Sequence, residues 1–194
     1  MNKRRFLSMA TLAGLLPAVP ASAAPQTRQS PGLLTVSGAI GKANRGPLDT
    51  TLDQMLVKHG VKFDKAYLFD SEALRRLPAV RIRPTLEYDA KVHSLAGPLL
   101  STVLEVAGVA PASEAKLTLR AVDGYTVALS LADARSYRMI VATEIDGQAL
   151  ALGGLGPQWA LYEADTLAAF KDKPLKERFA LCPWGLYHID VKRS

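Results

Sequence analysis

The chain has 194 residues, of which 48% are hydrophobic, 22% charged and 7% aromatic, with a formal net charge of +6 and a single cysteine, Cys182. That length fits one domain with a substantial core, and one cysteine excludes an internal disulfide. No run of five or six like charges and no Arg/Gly or basic-aromatic tract is present, which argues against nucleic acid as a partner.

Lys3, Arg4 and Arg5 precede an apolar run from Phe6 to Leu16, and Ala21-Ser22-Ala23 follows. Charge, short apolar segment and A-x-A site in that order predict a cleaved signal peptide over residues 1–23 and a periplasmic location. The run is shorter than the roughly 20 apolar residues of a spanning helix, so no membrane insertion is expected once the signal is removed. Asn2-Lys3-Arg4-Arg5-Phe6-Leu7 resembles a loose twin-arginine signal with its basic pair off register, leaving that route and ordinary secretion both open. Cleavage takes away three positive and no negative charges, so the net charge falls to about +3. Half of the basicity is therefore targeting signal.

Residues 24–32, APQTRQSPG, read as a flexible leader, and residues 33–194 as a single domain. A first strand is predicted at Leu33 to Ser37, ending in Gly38. Leu48, Leu52, Met55 and Leu56 fall at helical spacing, predicting a helix from Leu48 to His59 that Gly60 stops. A second helix, Ser71 to Leu77, has Asp70 or Ser71 as N-cap and Pro78 beyond its end. Ala79 to Tyr88 alternates like a half-buried strand interrupted at Pro84. Gly97-Pro98 is expected to open a helix with Leu99, Leu100, Val103, Leu104 and Ala107 on one face and Gly108 as its stop. Strands follow at Lys116 to Ala121, Thr126 to Leu129, Met139 to Thr143 and Trp184 to Val191. Asp146-Gly147 is a hairpin turn expected to join Ile140-Val141 to Ala149-Leu152. Short strands outnumber helices, which predicts an α+β class with a mixed or barrel-like sheet.

Hydrolytic constellations are poorly supported. The histidines, at 59, 93 and 188, form no zinc-seating group, and no G-x-S-x-G is present. His59 reads as a dipole-complementing residue in a last helical turn, or as a ligand. Cys182 is a structural thiol beside Pro183 or a thiolate near His188. Gly153-Gly154-Leu155-Gly156-Pro157 is a glycine-dense loop that either lets backbone cradle a ligand or simply turns the chain. Trp159 and Trp184, both beside glycine-rich turns, suit a planar ligand or core packing equally.

Taken together, LTVSGAI at 34–40 with Asn44 after it, GPLLSTVLEVAGV at 97–109, RAVDGYTVALSLAD at 120–133, GLGPQWALYEAD at 154–165 and WGLYHIDV at 184–191 resemble the oxidoreductase molybdopterin-binding domain. That is the fold of sulfite oxidase and its small periplasmic relatives, and the resemblance implies a sulfite oxidase-like α+β fold with a few short helices. Metal-binding members carry a segment like R-C-V-E-G-W-S whose cysteine ligates molybdenum. Here it falls on Arg120-Ala121-Val122-Asp123-Gly124-Tyr125-Thr126, so the ligand position is Ala121. A methyl group has no lone pair, and molybdenum ligation by cysteine is not expected. An Arg-Asp-Lys-Gly-Pro-like anion-binding segment is likewise replaced by Gly153-Gly154-Leu155 before Gly156-Pro157.

The departure resembles a subgroup that binds pterins without metal and reports to inner-membrane signalling enzymes. It implies a pterin or molybdopterin-type ligand held by Ala121, Asp123, Gly124, Tyr125, Gly156, Pro157 and Trp184, with no catalytic residue. On that reading Asp123 accepts two hydrogen bonds from the amino-pyrimidinone edge while Trp184 or Tyr125 stacks on the ring. A molybdenum-cofactor-dependent oxidoreductase, or a degenerate domain serving as a protein interaction module, are the alternatives.

Overall fold

The computed structural model describes residues 30–193. The expected signal peptide at 1–23 and leader residues 24–29 lie outside the described residues.

Strand β1 (Gly32–Gly38) buries Leu34 and Val36 on one face. The helix predicted over 48–59 is reduced to α1 (Gln54–Lys58). Asp49 Oδ1 accepts from the backbone N–H of Thr51 at 2.8 Å and of Leu52 at 3.0 Å, while Asp49 N–H donates to Asp53. Local side-chain bonds of this kind compete with helix formation, and Leu52 stays 79% exposed. An edge strand absent from the sequence reading, β2 (Ala66–Asp70), pairs antiparallel with β1. Helix α2 (Ser71–Arg75) follows with Asp70 as its N-cap, accepting from Ala73 N–H at 2.7 Å.

The strand expected to reach Tyr88 ends early, as β3 (Ala79–Ile82), before Pro84. Beyond Pro84 the chain makes a small hairpin bridged at Thr85 and Val92. Gly97-Pro98 does not open a helix but closes a buried strand, β4 (Leu95–Pro98), and α3 (Leu100–Val106) starts after it. Gly97 is required there because a Cβ would lie 2.0 Å from the Val141 carbonyl oxygen. Strands β5 (Ala115–Ala121) and β6 (Thr126–Ser130) form the hairpin that alternation predicts. Ser130 then caps α4 (Leu131–Ser136), a helix absent from the sequence reading, accepting from Asp133 N–H at 2.9 Å.

After β7 (Ile140–Ala142), the Asp146-Gly147 turn joins β8 (Glu144–Ile145) to β9 (Gln148–Ala149). The turn is where it was expected, but its partner strand is β8. Strand β10 (Trp159–Leu161) pairs with β7, and α5 (Leu175–Arg178) precedes β11 (Leu186–Arg193).

These strands make three sheets: β2-β1-β11-β5-β6, β10-β7 and β3-β4-β8-β9. The first is mixed, with β1 and β11 parallel and the other pairs antiparallel. The barrel-like expectation is corrected: among the described residues no barrel closes. Its edge strands β2 and β6 run directly into α2 and α4 instead of pairing with each other. The main core holds Trp159, Tyr162 and Phe69 at or below 1% exposure, and a smaller cluster of Leu56, Val61 and Tyr187 forms apart from it. Among the described residues no helix is long and apolar enough to cross a membrane.

Candidate functional site

Antiparallel pairing of β5 with β11, from Leu186 opposite Ala121, decides what surrounds the Asp-Gly turn. Ala121 N–H donates to the Tyr125 carbonyl at 2.9 Å, Gly124 N–H to the Ala121 carbonyl at 3.0 Å, and Val122 N–H to the Gly185 carbonyl at 2.9 Å. Gly124 has φ +92°, a left-handed conformation that glycine adopts freely. The turn is thus fastened to the entry of β11, and residues 180–184 lie alongside it.

A cleft of about 320 Å³ opens here, lined by Asp123 and Tyr125 from the turn and by Phe179, Cys182 and Trp184 from the approach to β11. Lys176 of α5 and Glu87 with Tyr88, from the tip of the hairpin after Pro84, complete it. Its size falls within the roughly 300–1,000 Å³ of small-molecule sites. Two carboxylates, one ammonium and four aromatic rings therefore converge on one concavity. Of the residues expected at the site, Asp123, Tyr125 and Trp184 meet in it.

The other expected residues lie elsewhere. Ala121 is 1% exposed and does not line the cleft. Gly124 presents its α-carbon toward His59, whose Nε2 would be 3.6 Å from an added Cβ. Gly156 packs against Leu150, and Pro157 lines a separate cavity of about 120 Å³ with Leu33, Leu74 and Leu150. The glycine-dense loop supports the back of β11's entry, with Gly185 N–H donating to the Leu155 carbonyl at 3.2 Å.

Asp123 Oδ1 already accepts from Tyr125 N–H at 2.9 Å, which leaves Oδ2 as its uncommitted oxygen in this arrangement. The side chain is exposed, at the rim. Glu87 is the better placed acid, and sequence reasoning missed it together with Tyr88, Lys176 and Phe179. It is half-buried, and its charge is felt by both Tyr88 and Cys182. Burial, and then the Glu87 carboxylate, push the Tyr88 hydroxyl up to about 12, while the Trp184 indole bonded to it acts the other way. Tyr88 is therefore a neutral donor with Trp184 and Glu87 as neighbours. The pointer in the sequence was Pro84, which ends the strand and leaves Glu87 and Tyr88 in a turn.

Cys182 is 4% exposed, and burial pushes its thiol up to about 12 despite a hydrogen bond from Tyr162. Its backbone carbonyl accepts from Trp159 Nε1 at 2.8 Å. The thiol is therefore protonated at neutral pH, and position 121 carries no sulfur. Among the described residues no three His, Cys, Asp or Glu side chains are grouped to hold a metal ion. Cys182 is the one thiol in the cleft lining.

His59, the C-cap of α1, is half-buried with Nδ1 2.6 Å from Tyr187 Oη. His188 is 1% exposed with Nε2 2.9 Å from Ser37 Oγ, and burial lowers its pKa to about 3. It is neutral, and 1% exposure makes it core structure. Tyr125 Oη donates to the Ala180 carbonyl at 2.8 Å, which ties the turn to the far wall of the cleft.

No protein-family model matches the chain, and no curated protein sequence matches it. Among solved structures it is similar to the sulfane dehydrogenase SoxCD from Paracoccus pantotrophus, with a TM-score of 0.53 and 13% sequence identity. The match covers 83% of this chain and 38% of the neighbour's. At that identity the likeness bears on fold alone. The chain has an α+β, sulfite oxidase-like fold and spans well under half of the neighbour's length.

Proposed function

We propose that this chain is an exported, non-catalytic binding protein for a pterin or molybdopterin-type heterocycle, working with an inner-membrane signalling protein as sensor or accessory. The observation that carries the reading is the cleft in which the Glu87 and Asp123 carboxylates face the rings of Tyr88, Tyr125 and Trp184. A pterin is a flat bicycle whose amino-pyrimidinone edge donates two adjacent N–H groups. One carboxylate accepts both, and an aromatic face stacks on the ring. Lys176 supplies one cation for an anionic substituent. Alanine at the position where metal-binding relatives place cysteine removes the anchor for chemistry and leaves the walls. The N-terminal pattern of charge, apolar run and A-x-A supports export to the periplasm.

A molybdenum-dependent oxidoreductase is the second reading, favoured by Cys182 in the cleft wall and by a structural neighbour that is a dehydrogenase. Two measurements on protein purified from the periplasm separate them. Near-stoichiometric molybdenum would sink the pterin-sensor reading. Titration with reduced and oxidised pterins, followed by tryptophan fluorescence, is expected to give a saturable change. Its absence in a folded protein would leave the interaction module.

A further inference from the structure

The hairpin that carries Glu87 and Tyr88 into the cleft is closed by backbone bonds between Leu86 and Lys91 at 2.9 Å and from Ala90 N–H to Leu86 at 3.0 Å. Leu86, 2% exposed, anchors its base in the core, whereas Tyr88 is 56% exposed. The tip is fastened to the rest of the molecule through Tyr88, which packs on Trp159 with ring centroids 6.3 Å apart and is bonded to Trp184, and through His93. Its Nδ1 lies 2.6 Å from Asp146 Oδ2, on the β8–β9 turn, and its Nε2 lies 3.1 Å from Asp89 Oδ2, on the tip. A carboxylate only accepts hydrogen bonds, and a neutral imidazole has one donor and one acceptor. Both contacts are therefore favourable only when the ring carries two protons.

The two ends are held unequally. Asp146 Oδ1 also accepts from Ser94 N–H at 2.9 Å, and its own N–H donates to the Ser94 carbonyl at 2.7 Å. Arg81 of β3 reaches the same Ser94 through its hydroxyl at 2.7 Å. Asp89 has the longer bond to His93, and its other tethers, Lys91 N–H and the Lys91 ammonium, belong to the same tip. On losing a proton, the ring keeps Asp146 and releases Asp89. The charged groups facing His93 are Asp89 and Lys91 from its own hairpin, Asp146 from the β8–β9 turn and, behind Ser94, Arg81.

We propose that His93 is a positioning residue whose protonation straps the Glu87–Tyr88 rim against the cleft, so that ligand affinity is set by periplasmic pH. The proposal rests on the reading of the cleft as a ligand site. Its direction follows from the partners: donating hydrogen bonds to Asp146 and then to Asp89 raises the His93 pKa, and His93 lowers those of both acids. The strap is complete below the ordinary histidine value of about 6.5 and is lost as pH rises through the raised value. In the same window Tyr88 and Cys182, both pushed up to about 12, stay protonated.

The test uses the whole mature chain. Without ligand, NMR titration from about pH 6 to about pH 9 should show the amides of Glu87 to Lys91 moving with the His93 imidazole. That coupling should vanish in His93→Gln and in Asp89→Asn, the latter a surface change that keeps the fold. With a tetrahydropterin as probe and tryptophan fluorescence as readout, the wild-type Kd should rise about threefold or more across that range relative to both variants. Comparison with the variants removes the ligand's own titration. Tip amides that ignore His93 overturn the proposal whether or not a pterin binds. A responsive tip with the same pH profile of Kd in wild type and variants also overturns it as regulation of the cleft. A responsive tip with no saturable binding at any pH upholds the strap and removes only the pterin reading.

Discussion

Glu87→Gln separates an acid inside the cleft from the acid at its rim. Glu87 is half-buried between Tyr88 and Cys182, and glutamine keeps its shape while replacing one acceptor oxygen by an NH2 group. Against two N–H donors of a pterin edge, that change removes one charge-assisted bond and opposes donor to donor. The loss is about 1.5–3 kcal/mol, or roughly 10- to 150-fold in Kd at 1.4 kcal/mol per decade. Asp123→Asn is the matched comparison. It keeps the Oδ1 acceptor for Tyr125 N–H and alters one exposed oxygen, so at most about 1 kcal/mol, or fivefold, is expected. Isothermal calorimetry with a tetrahydropterin, with a thermal melt of each variant, reads both. A larger loss in Asp123→Asn than in Glu87→Gln would place the ligand edge at the rim and refute the assignment. Equal, negligible losses would mean that no carboxylate of this cleft reads a ligand.

Gly97→Ala forces a Cβ to within 2.0 Å of the Val141 carbonyl oxygen and 2.8 Å of Ala142 Cα, all backbone. It should cost about 3 kcal/mol and lower Tm by roughly 6–12 °C. Gly46→Ala, with nothing within 4 Å, should change Tm little, and similar melts for the two would refute the close crossing of β4 and β7. His188, lowered to about 3, stays neutral in the fold while the unfolded chain takes up a proton below about pH 6.5. Stability should therefore fall with decreasing pH by up to about 1.4 kcal/mol per unit from this residue. Urea melts of wild type and His188→Gln at several pH values check this, and equal slopes would contradict it. Cys182, with its thiol near 12 against an ordinary 9.0, should be alkylated in the native protein about a thousandfold more slowly than in urea at pH 8. Rapid native labelling would reveal an accessible thiolate and revive it as a metal ligand.

Much of the frame was legible because the relevant physics is local. Leu117, Leu119 and Ala121 alternate with polar neighbours, Asp123-Gly124 demands a turn, and the β5–β6 hairpin follows. Asp70 caps α2 as its chemistry requires. Where local signals competed, the reading failed. Leu48 to Leu56 have helical spacing, but Asp49 and Asp53 took the backbone N–H groups first. Gly97-Pro98 looked like a helix entry because Gly-Pro is a good one, yet burial against Val141 made it the end of a strand.

The site divides in the same way. From sequence alone came the α+β class, the segment order and alanine at position 121, since these depend on residue identity and spacing, and the resemblance those segments carry implied the sulfite oxidase-like fold. The likeness in fold to SoxCD agrees with the fold reading. Which acids line the cleft was decided only in three dimensions. The hairpin after Pro84 swings Glu87 and Tyr88 across more than thirty residues of chain to the Asp123 turn, and β11 delivers Cys182 and Trp184 to the same place. The glycine-dense loop, open in sequence between a ligand cradle and a plain turn, packs behind the strand. Proximity between distant segments depends on how sheets pair and pack, and residue spacing along the chain carries no record of it.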